Sequence, residues 1–262
     1  MGTRRLSQPV AGRNPALNGL GIVAALAAEA RPLGTGCKGA DGAVTLGDGT
    51  LLVVSGVGVS AAAAGARRLA AAGARALISW GVAGGLDPGL AAGTLVLPRE
   101  IISPDNVSFA TATDWREHVR SAIEAQCPVC TGSLLTCSAP LGSVAAKARA
   151  FRETAAVAVD MESSAVAEVA AAQRLPFLAV RAIVDGAADE IPGAALMAAT
   201  AGTATLRIGR LLATLARAPG ELPALIRLAG RYGRARRALS AVARSGALAP
   251  QALHPMAGGA LT

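Results

Sequence analysis

Aromatic side chains are nearly missing from this chain of 262 residues: two Trp, one Tyr and three Phe, 2% in all. Its core must be built from Ala, Val, Leu and Ile, and an apolar content of 52% allows a large one. Charge is sparse too, at 16% of residues, so the composition excludes an intrinsically disordered chain. Histidine occurs only as His118 and His254, and neither lies at ligand spacing from Cys127-Pro-Val-Cys130, the one CxxC among four cysteines. Without a second CxxC, that pair reads as ordinary cytosolic thiols rather than a zinc or redox centre. No apolar run free of charge reaches the ~18 residues a membrane-spanning helix needs. Arg4-Arg5 followed by the apolar Leu20 to Ala28 imitates a secretory signal. Asn, Pro and Gly hold the arginines too far from the apolar run for that reading. The expected location is cytoplasmic.

The positive charge is confined to one segment. Residues 1–205 carry 16 basic and 16 acidic side chains, whereas Leu206 to Arg244 carries nine Arg and one acid, Glu221, and supplies the whole net charge of +8. A neutral body offers no basic groove for nucleic acid, and no aromatics interleave with the arginines. Leu225, Leu228, Tyr232, Ala235, Leu239 and Val242 fall on one helical stripe, with Arg227, Arg231, Arg234 and Arg237 mainly on the other side. Two readings of this basic amphipathic helix stay open: packing on the domain with an arginine-rich outer face, or reversible binding to an anionic membrane surface at the inner face of the membrane.

The expected organisation is a loose tail over 1–18, a catalytic domain over 19–205, a basic helical extension over 206–245 and a second loose tail over 246–262. Within the domain, strands are expected at Gly19–Leu26, Leu51–Val54, Ala76–Ser79, Thr94–Leu97, Leu134–Cys137, Ala156–Val159 and Phe177–Val184. Helices are expected at Ser60–Ala72, Asp114–Ala125, Ser143–Arg152, Glu162–Arg174 and Ala194–Arg217, with a further one at Leu222–Arg244 in the extension. Gly81 to Gly85 reads as a glycine-rich loop. Continuous apolar strands alternating with helices indicate an α/β fold of three layers, αβα, around a central mixed and largely parallel sheet. Ligands in such folds sit beyond the C-terminal ends of the strands. The residues there are Glu29, Gly56 and Gly58, Gly81 to Gly85, Ser138, Asp160 to Glu162, and Asp185.

Gly56-Val-Gly58-Val-Ser-Ala61 has the form of a dinucleotide fingerprint, but the acid needed about 20 residues on is absent, since no Asp or Glu lies between Gly56 and Leu86. The remaining readings are a tight strand-to-helix turn, or amides at a helix start that face a ligand oxygen. Asp160-Met-Glu162 opens a helix, where an acid caps the dipole or serves a site. Asp185 ends a nearly apolar strand; burial there would let its carboxyl hold a proton near neutrality. Glu29, Glu162 and Asp185 all follow strands, where one cleft would gather them.

Five segments fall in a telling order: Gly21-Ile-Val-Ala-Ala-Leu-Ala-Ala-Glu29, Ser55-Gly-Val-Gly58, Trp80-Gly-Val-Ala-Gly-Gly-Leu86, Val159-Asp-Met-Glu-Ser-Ser-Ala165 and Arg181-Ala-Ile-Val-Asp185. Together they resemble the motifs of the purine nucleoside phosphorylase and methylthioadenosine/adenosylhomocysteine nucleosidase superfamily, over roughly residues 19–200. Leu86-Asp-Pro-Gly-Leu, Val159-Asp-Met-Glu-Ser-Ser-Ala-Val and Arg217-Ala-Pro-Gly-Glu-Leu-Pro-Ala-Leu are similar to its hopanoid-associated phosphorylases.

The resemblance implies an enzyme that cuts a purine–ribose bond, releasing adenine from adenosylhopane on the way to the bacteriohopanepolyols. A methylthioadenosine or adenosylhomocysteine nucleosidase, or a phosphorylase of soluble nucleosides, is the alternative. It implies Asp185 as general acid toward the base and Glu29 as the residue that orients a nucleophilic water. Glu162 would hold the ribose diol with Met161 packed on the sugar, and Gly58, Val82, Ala83, Gly84 and Arg181 would complete the substrate site. No metal or cofactor is implied, with phosphate a candidate co-substrate and a second copy of the chain a candidate partner. The family's phosphate ligands are replaced here by Ser79 and Val82, so water stands beside phosphate as acceptor, with Arg31 or Arg67 as substitute ligands. No ring lies near Ser138 to Leu141, which leaves base packing to aliphatic side chains, to Trp80 or to a neighbouring subunit.

Overall fold

The computed structural model describes residues 19–39, 42–193, 195, 220 and 222–249. The expected tail over 1–18 and the expected helix over 194–217 lie outside the described residues, apart from residue 195. Strands β1 (Leu20–Ala24), β4 (Leu51–Val54), β5 (Ala76–Gly85) and β12 (Phe177–Asp185) form the centre of a mixed sheet. β5 is the hub. β12 runs parallel along one of its edges, from Phe177 opposite Leu77 to Asp185 opposite Gly84. The other edge is shared: β1 pairs with it in parallel up to Trp80, and β11 (Ala158–Asp160) pairs with it antiparallel at Gly84 and Gly85. A parallel ladder continues from β11 through β10 (Leu134–Thr136) to β7 (Glu100–Ile102). The short strands β2 (Gly36–Lys38), β3 (Val44–Leu46) and β8 (Ser108–Ala110) finish the two ends. β6 (Leu95–Val96) joins β12 to β9 (Val129–Cys130).

One expectation fails here. Gly81 to Gly85 is strand, not loop. Glycine usually punctuates regular structure, but β12 pairs Gly81 to Gly84 and β11 pairs Gly84 and Gly85, and the missing side chains let other groups approach. A Cβ on Gly81 would lie 2.6 Å from the Arg181 guanidinium and 2.9 Å from Glu29 Oε1.

Both faces of the sheet are covered. Val23, Leu51, Val53, Leu77, Phe177 and Ala179 pack on α2 (Val59–Ala71) and α5 (Ser163–Ala172). Leu20, Ile22, Ile78, Trp80, Leu178 and Val180 pack on α3 (Thr113–Ile123) and α6 (Leu222–Arg244). This is the three-layer α/β arrangement that the apolar strands lead one to expect. α4 (Val144–Thr154) starts at Ser143, whose hydroxyl accepts from the Ala146 amide as an N-cap should, and α1 (Ala27–Ala30) follows β1 after Ala25 and Leu26.

α6 is part of the domain rather than an appendage. Ala235, Ala238, Leu239 and Val242 are buried in the same cluster as Trp80 and Leu178. Ala247 and Leu248, expected in a loose tail, are buried there too. Burial of a Leu or Val side chain contributes ~1.5–3 kcal/mol. Leu239, Val242 and Leu248 together are therefore comparable with the whole net stability of ~5–15 kcal/mol typical of a domain. The first half of the helix differs: Leu222 and Ile226 are 51% and 63% exposed, with exposed Arg227 next to Ile226, while the exposed Arg234, Arg236 and Arg237 follow on the outer face of the second half. No helix among the described residues is long and apolar enough to cross a membrane.

Candidate active site

The shared edge of β5 creates the site. β1 leaves it after Trp80 and β11 joins it at Gly84, so the backbone of Gly81 to Ala83 has no strand partner on that side. Glu29 fills part of the gap. Its Oε1 accepts from the Val82 amide at 3.1 Å, and its Oε2 accepts from the Leu26 amide at 3.0 Å across the first turn of α1. Beyond the gap lies a cavity of about 190 Å³. Glu29, Glu162 and Asp185 all line it: Glu29 from α1, the short helix after β1, Glu162 from the residue capping α5 after β11, and Asp185 from the last residue of β12. Val82, Ala83, Gly84 and Met161 line it as well. The remaining wall is aliphatic, with Pro140, Leu141, Val184 and Ile191.

Glu29 is buried rather than solvated, at 3% exposure, and burial pushes its carboxyl above the usual range against the pull of Arg181. Glu162 precedes α5. Its Oε1 accepts from the Gly58 amide at 3.0 Å, so the helix-start amide of the Gly56-Val-Gly58 turn faces a carboxylate of the protein. Gly58 itself does not line the cavity, and its φ of +100° favours glycine. Burial raises the Glu162 carboxyl to about 7, despite Arg181, with Asp160 and Glu29 adding to the rise. Asp185 sits at a register shift in β12, which turns it toward Gly84. Burial raises its carboxyl also, and Lys147 opposes that rise.

Two basic residues lie behind the acids. Arg181 is 1% exposed and does not itself line the cavity. Its Nη2 meets Asp160 Oδ2 at 2.8 Å and donates to Ser79 Oγ at 2.7 Å and Ser163 Oγ at 3.1 Å. Glu162 Oε2 is 3.7 Å away. Asp160 is thereby an anchor: it also accepts from Thr136 Oγ1 and from the Ser163 amide at the start of α5. Lys147, on α4, was not legible as a site residue. Its Nζ contacts Asp185 Oδ2 and donates to the carbonyls of Gly186 and Asp189. The available signal was scarcity, since Lys147 and Lys38 are the two lysines among 25 basic side chains.

Other expectations resolve by position. Trp80 is fully buried and its indole N–H donates to the Glu29 carbonyl, so it is core and supplies no platform in the cavity. Ser138 is not a lining residue, although Ala139 to Leu141 are. Ser79 is turned to Arg181 and Ser163, and neither Arg31 nor Arg67 lines the cavity. Cys127 and Cys130 are free thiols at β9, remote from these acids in the fold.

Residues 29–217 match the Phosphorylase superfamily, most of the chain. The chain belongs to that superfamily. Solved structures agree on the fold of this superfamily member. A Helicobacter pylori 5'-methylthioadenosine/S-adenosylhomocysteine nucleosidase superimposes with a TM-score of 0.59 at 20% identity, over 65% of this chain and 86% of that one. A futalosine hydrolase of the same organism gives 0.61 at 17% identity, over 85% and 96%. A Streptococcus pyogenes S-adenosylhomocysteine nucleosidase, in complex with 5-methylthiotubericidin, gives 0.57 at 21% identity, over 64% and 84%. A comparison with curated protein sequences gave no match.

Proposed function

We propose that the chain cleaves the N-ribosidic bond of a purine nucleoside. The observation that carries this reading is the convergence of Glu29, Glu162 and Asp185 on one small, otherwise aliphatic cavity. As the bond breaks, the sugar gains positive charge and the base negative charge. Asp185 gives a proton to the departing base, while Glu162 accepts from the ribose diol and its charge favours the cationic sugar more than the neutral ground state. Glu29, held by two backbone amides, orients the nucleophile. Aliphatic side chains, not rings, pack on the base.

Water is the acceptor we favour, because the side chains at 79 and 82 offer no phosphate ligand: Ser79 is committed to Arg181, and Val82 has no polar group. The substrate we favour bears a hopane skeleton on its adenosine. The subgroup resemblance supports this, and so does Ile191, which lines both the cavity and a hollow of about 480 Å³ beneath the start of α6. A bulky 5′ substituent would leave the cavity past Ile191 toward exposed Leu222 and Ile226, beside the arginines suited to an anionic membrane surface. Related solved structures are nucleosidases of methylthioadenosine and adenosylhomocysteine, which are the soluble alternatives. A panel in phosphate-free buffer tests all of this. Adenine release is expected without phosphate, and faster from adenosylhopane in anionic liposomes than from methylthioadenosine. Strict phosphate dependence would reject water, preference for the soluble substrate would reject the hopane, and no release from any nucleoside would reject the function.

The role of Glu162 has its own readout. Below about pH 7 its carboxyl takes up a proton and loses its charge. kcat/KM for ribosides should fall below that pH, and Glu162→Gln should remove this limb while slowing ribosides far more than 2′,3′-dideoxy analogues. Equal losses on both substrates would show that Glu162 does not read the diol.

A further inference from the structure

Lys147 has no exposed surface, and three acceptors surround its Nζ: Asp185 Oδ2, the Gly186 carbonyl at 2.9 Å and the Asp189 carbonyl at 2.8 Å. An ammonium has three N–H groups to give and accepts nothing, so the set fits a protonated lysine. A neutral amine has two N–H groups for these three oxygens, and its lone pair would have to accept the Asp185 proton at Oδ2, leaving none for the base. The same geometry constrains Asp185. Its Oδ2 faces an N–H and cannot also hold a proton toward it. Its Oδ1 makes no hydrogen bond among the described residues, and Asp185 lines the cavity.

We propose that Lys147 is a positioning residue for protonation of the base. It keeps Asp185 Oδ2 as an acceptor, so that the acid's proton sits on Oδ1, and it supplies the counter-charge once that proton has left. The proposal rests on the reading of Asp185 as proton donor. In the step, the Oδ1–H bond breaks and an N–H bond forms on the purine ring. The electron pair of the ribosidic bond stays with the base, and the Asp185 carboxylate remains paired with the Lys147 ammonium. An acid that leaves behind a paired carboxylate is stronger than one that leaves a bare buried charge.

The charged surroundings of Asp185 are few. Lys147 faces it from α4. Asp189 faces it from the segment after β12 and is itself paired with Arg231 of α6 at 2.6 Å. Glu29 and Glu162 share the cavity. Burial and Asp189 raise the Asp185 carboxyl, while Lys147 and Arg231 lower it. Removing the lysine's charge therefore moves the carboxyl further up, and the alkaline limb of kcat, where the donor proton is lost, moves with it.

Lys147→Met and Lys147→Gln, two neutral variants, are expected to shift that limb to higher pH by about one unit or more and to lower the plateau about 10²-fold. Lys147→Arg should restore the limb. Two measurements need no turnover. The infrared carboxyl band of Asp185, assigned by difference from Asp185→Asn, should titrate at higher pH in the neutral variants. In the wild-type chain, Lys147 should give the resonance of a buried ammonium, as its three acceptors require. Profiles that superimpose on wild type after scaling, with an unmoved infrared titration, would reduce Lys147 to a structural role. A neutral amine in the wild-type chain would overturn the proposal even if neither neutral variant folds. Absence of nucleoside cleavage by the wild-type chain would sink the functional reading instead, and the infrared titration would still report the coupling.

Discussion

Asp185→Asn is expected to cut purine release by about 10²–10⁴-fold, the usual scale of general acid–base catalysis. The amide keeps the shape of the carboxyl and its oxygen can still accept from Lys147, but it has no acidic proton to give. It also leaves the buried ammonium without its counter-charge, with only the Gly186 and Asp189 carbonyls as partners. Some stability should be lost with the activity. The two losses separate if kcat is expressed per folded molecule, with the folded fraction read by circular dichroism. Turnover near wild type in the folded fraction would remove Asp185 from the chemistry.

Arg181→Met should show the largest effect on stability. The guanidinium is buried and lies between Asp160, at 2.8 Å, and Glu162, at 3.7 Å, with Glu29 also within its field. Met fills much the same space but leaves buried carboxylates unpaired and the Ser163 hydroxyl without its donor, with Ser79 keeping only the bond from Ser163. Breaking a buried pair by deleting one partner costs about 3–5 kcal/mol, a large share of a domain's net stability. The pH dependence has a definite sign. Burial already raises the carboxyls of Glu29 and Glu162, and Arg181 restrains that rise. Without it both move higher. A carboxyl raised in the folded state adds stability at low pH, below its unfolded value, and that stability is lost as pH climbs through the folded value. The variant should thus lie closest to wild type in acid and fall behind as pH rises past neutrality, in denaturant midpoints with an unchanged slope. Equal midpoints at all pH values would mean that the acids do not depend on this cation.

What the sequence could disclose follows from its sparseness. Acids are rare in apolar strands, so Glu29, Glu162 and Asp185 stand out at strand ends, and the structure brings all three to one cavity. The helices and most strands are legible for the same reason, since apolar runs and glycine stops leave few alternatives. Arg181 stands directly behind Glu29 and Glu162, a depth within the site that a motif, which gives position along a strand, does not disclose. Lys147 was missed because one lysine in an Ala-rich helix reads as a solvated residue. Its burial depends on three oxygens supplied by a segment about 40 residues away. Gly81 to Gly85 misled because local propensity favours a loop, whereas long-range pairing with β12 makes it strand. α6 was read for its charge, yet the half of it nearest Arg244 is decided by Ala235, Leu239 and Val242 in the core.

That last helix also bears on how the molecule is made. Every acid of the cavity precedes α6 in the chain, but β12, which carries Asp185, has one face covered by α6. A nascent chain leaving the ribosome therefore offers its complete set of acids before it can bury Leu178, Val180 and Trp80. Until Leu239, Val242 and Leu248 have emerged, those strands present an apolar surface of the kind that chaperones hold and that drives aggregation. Arg231 reaches Asp189 only when the helix docks. The loop that follows the acid is thus secured at the end of synthesis, and fragments broken off after β12 should be cleared as misfolded protein rather than persist as a loosely working enzyme.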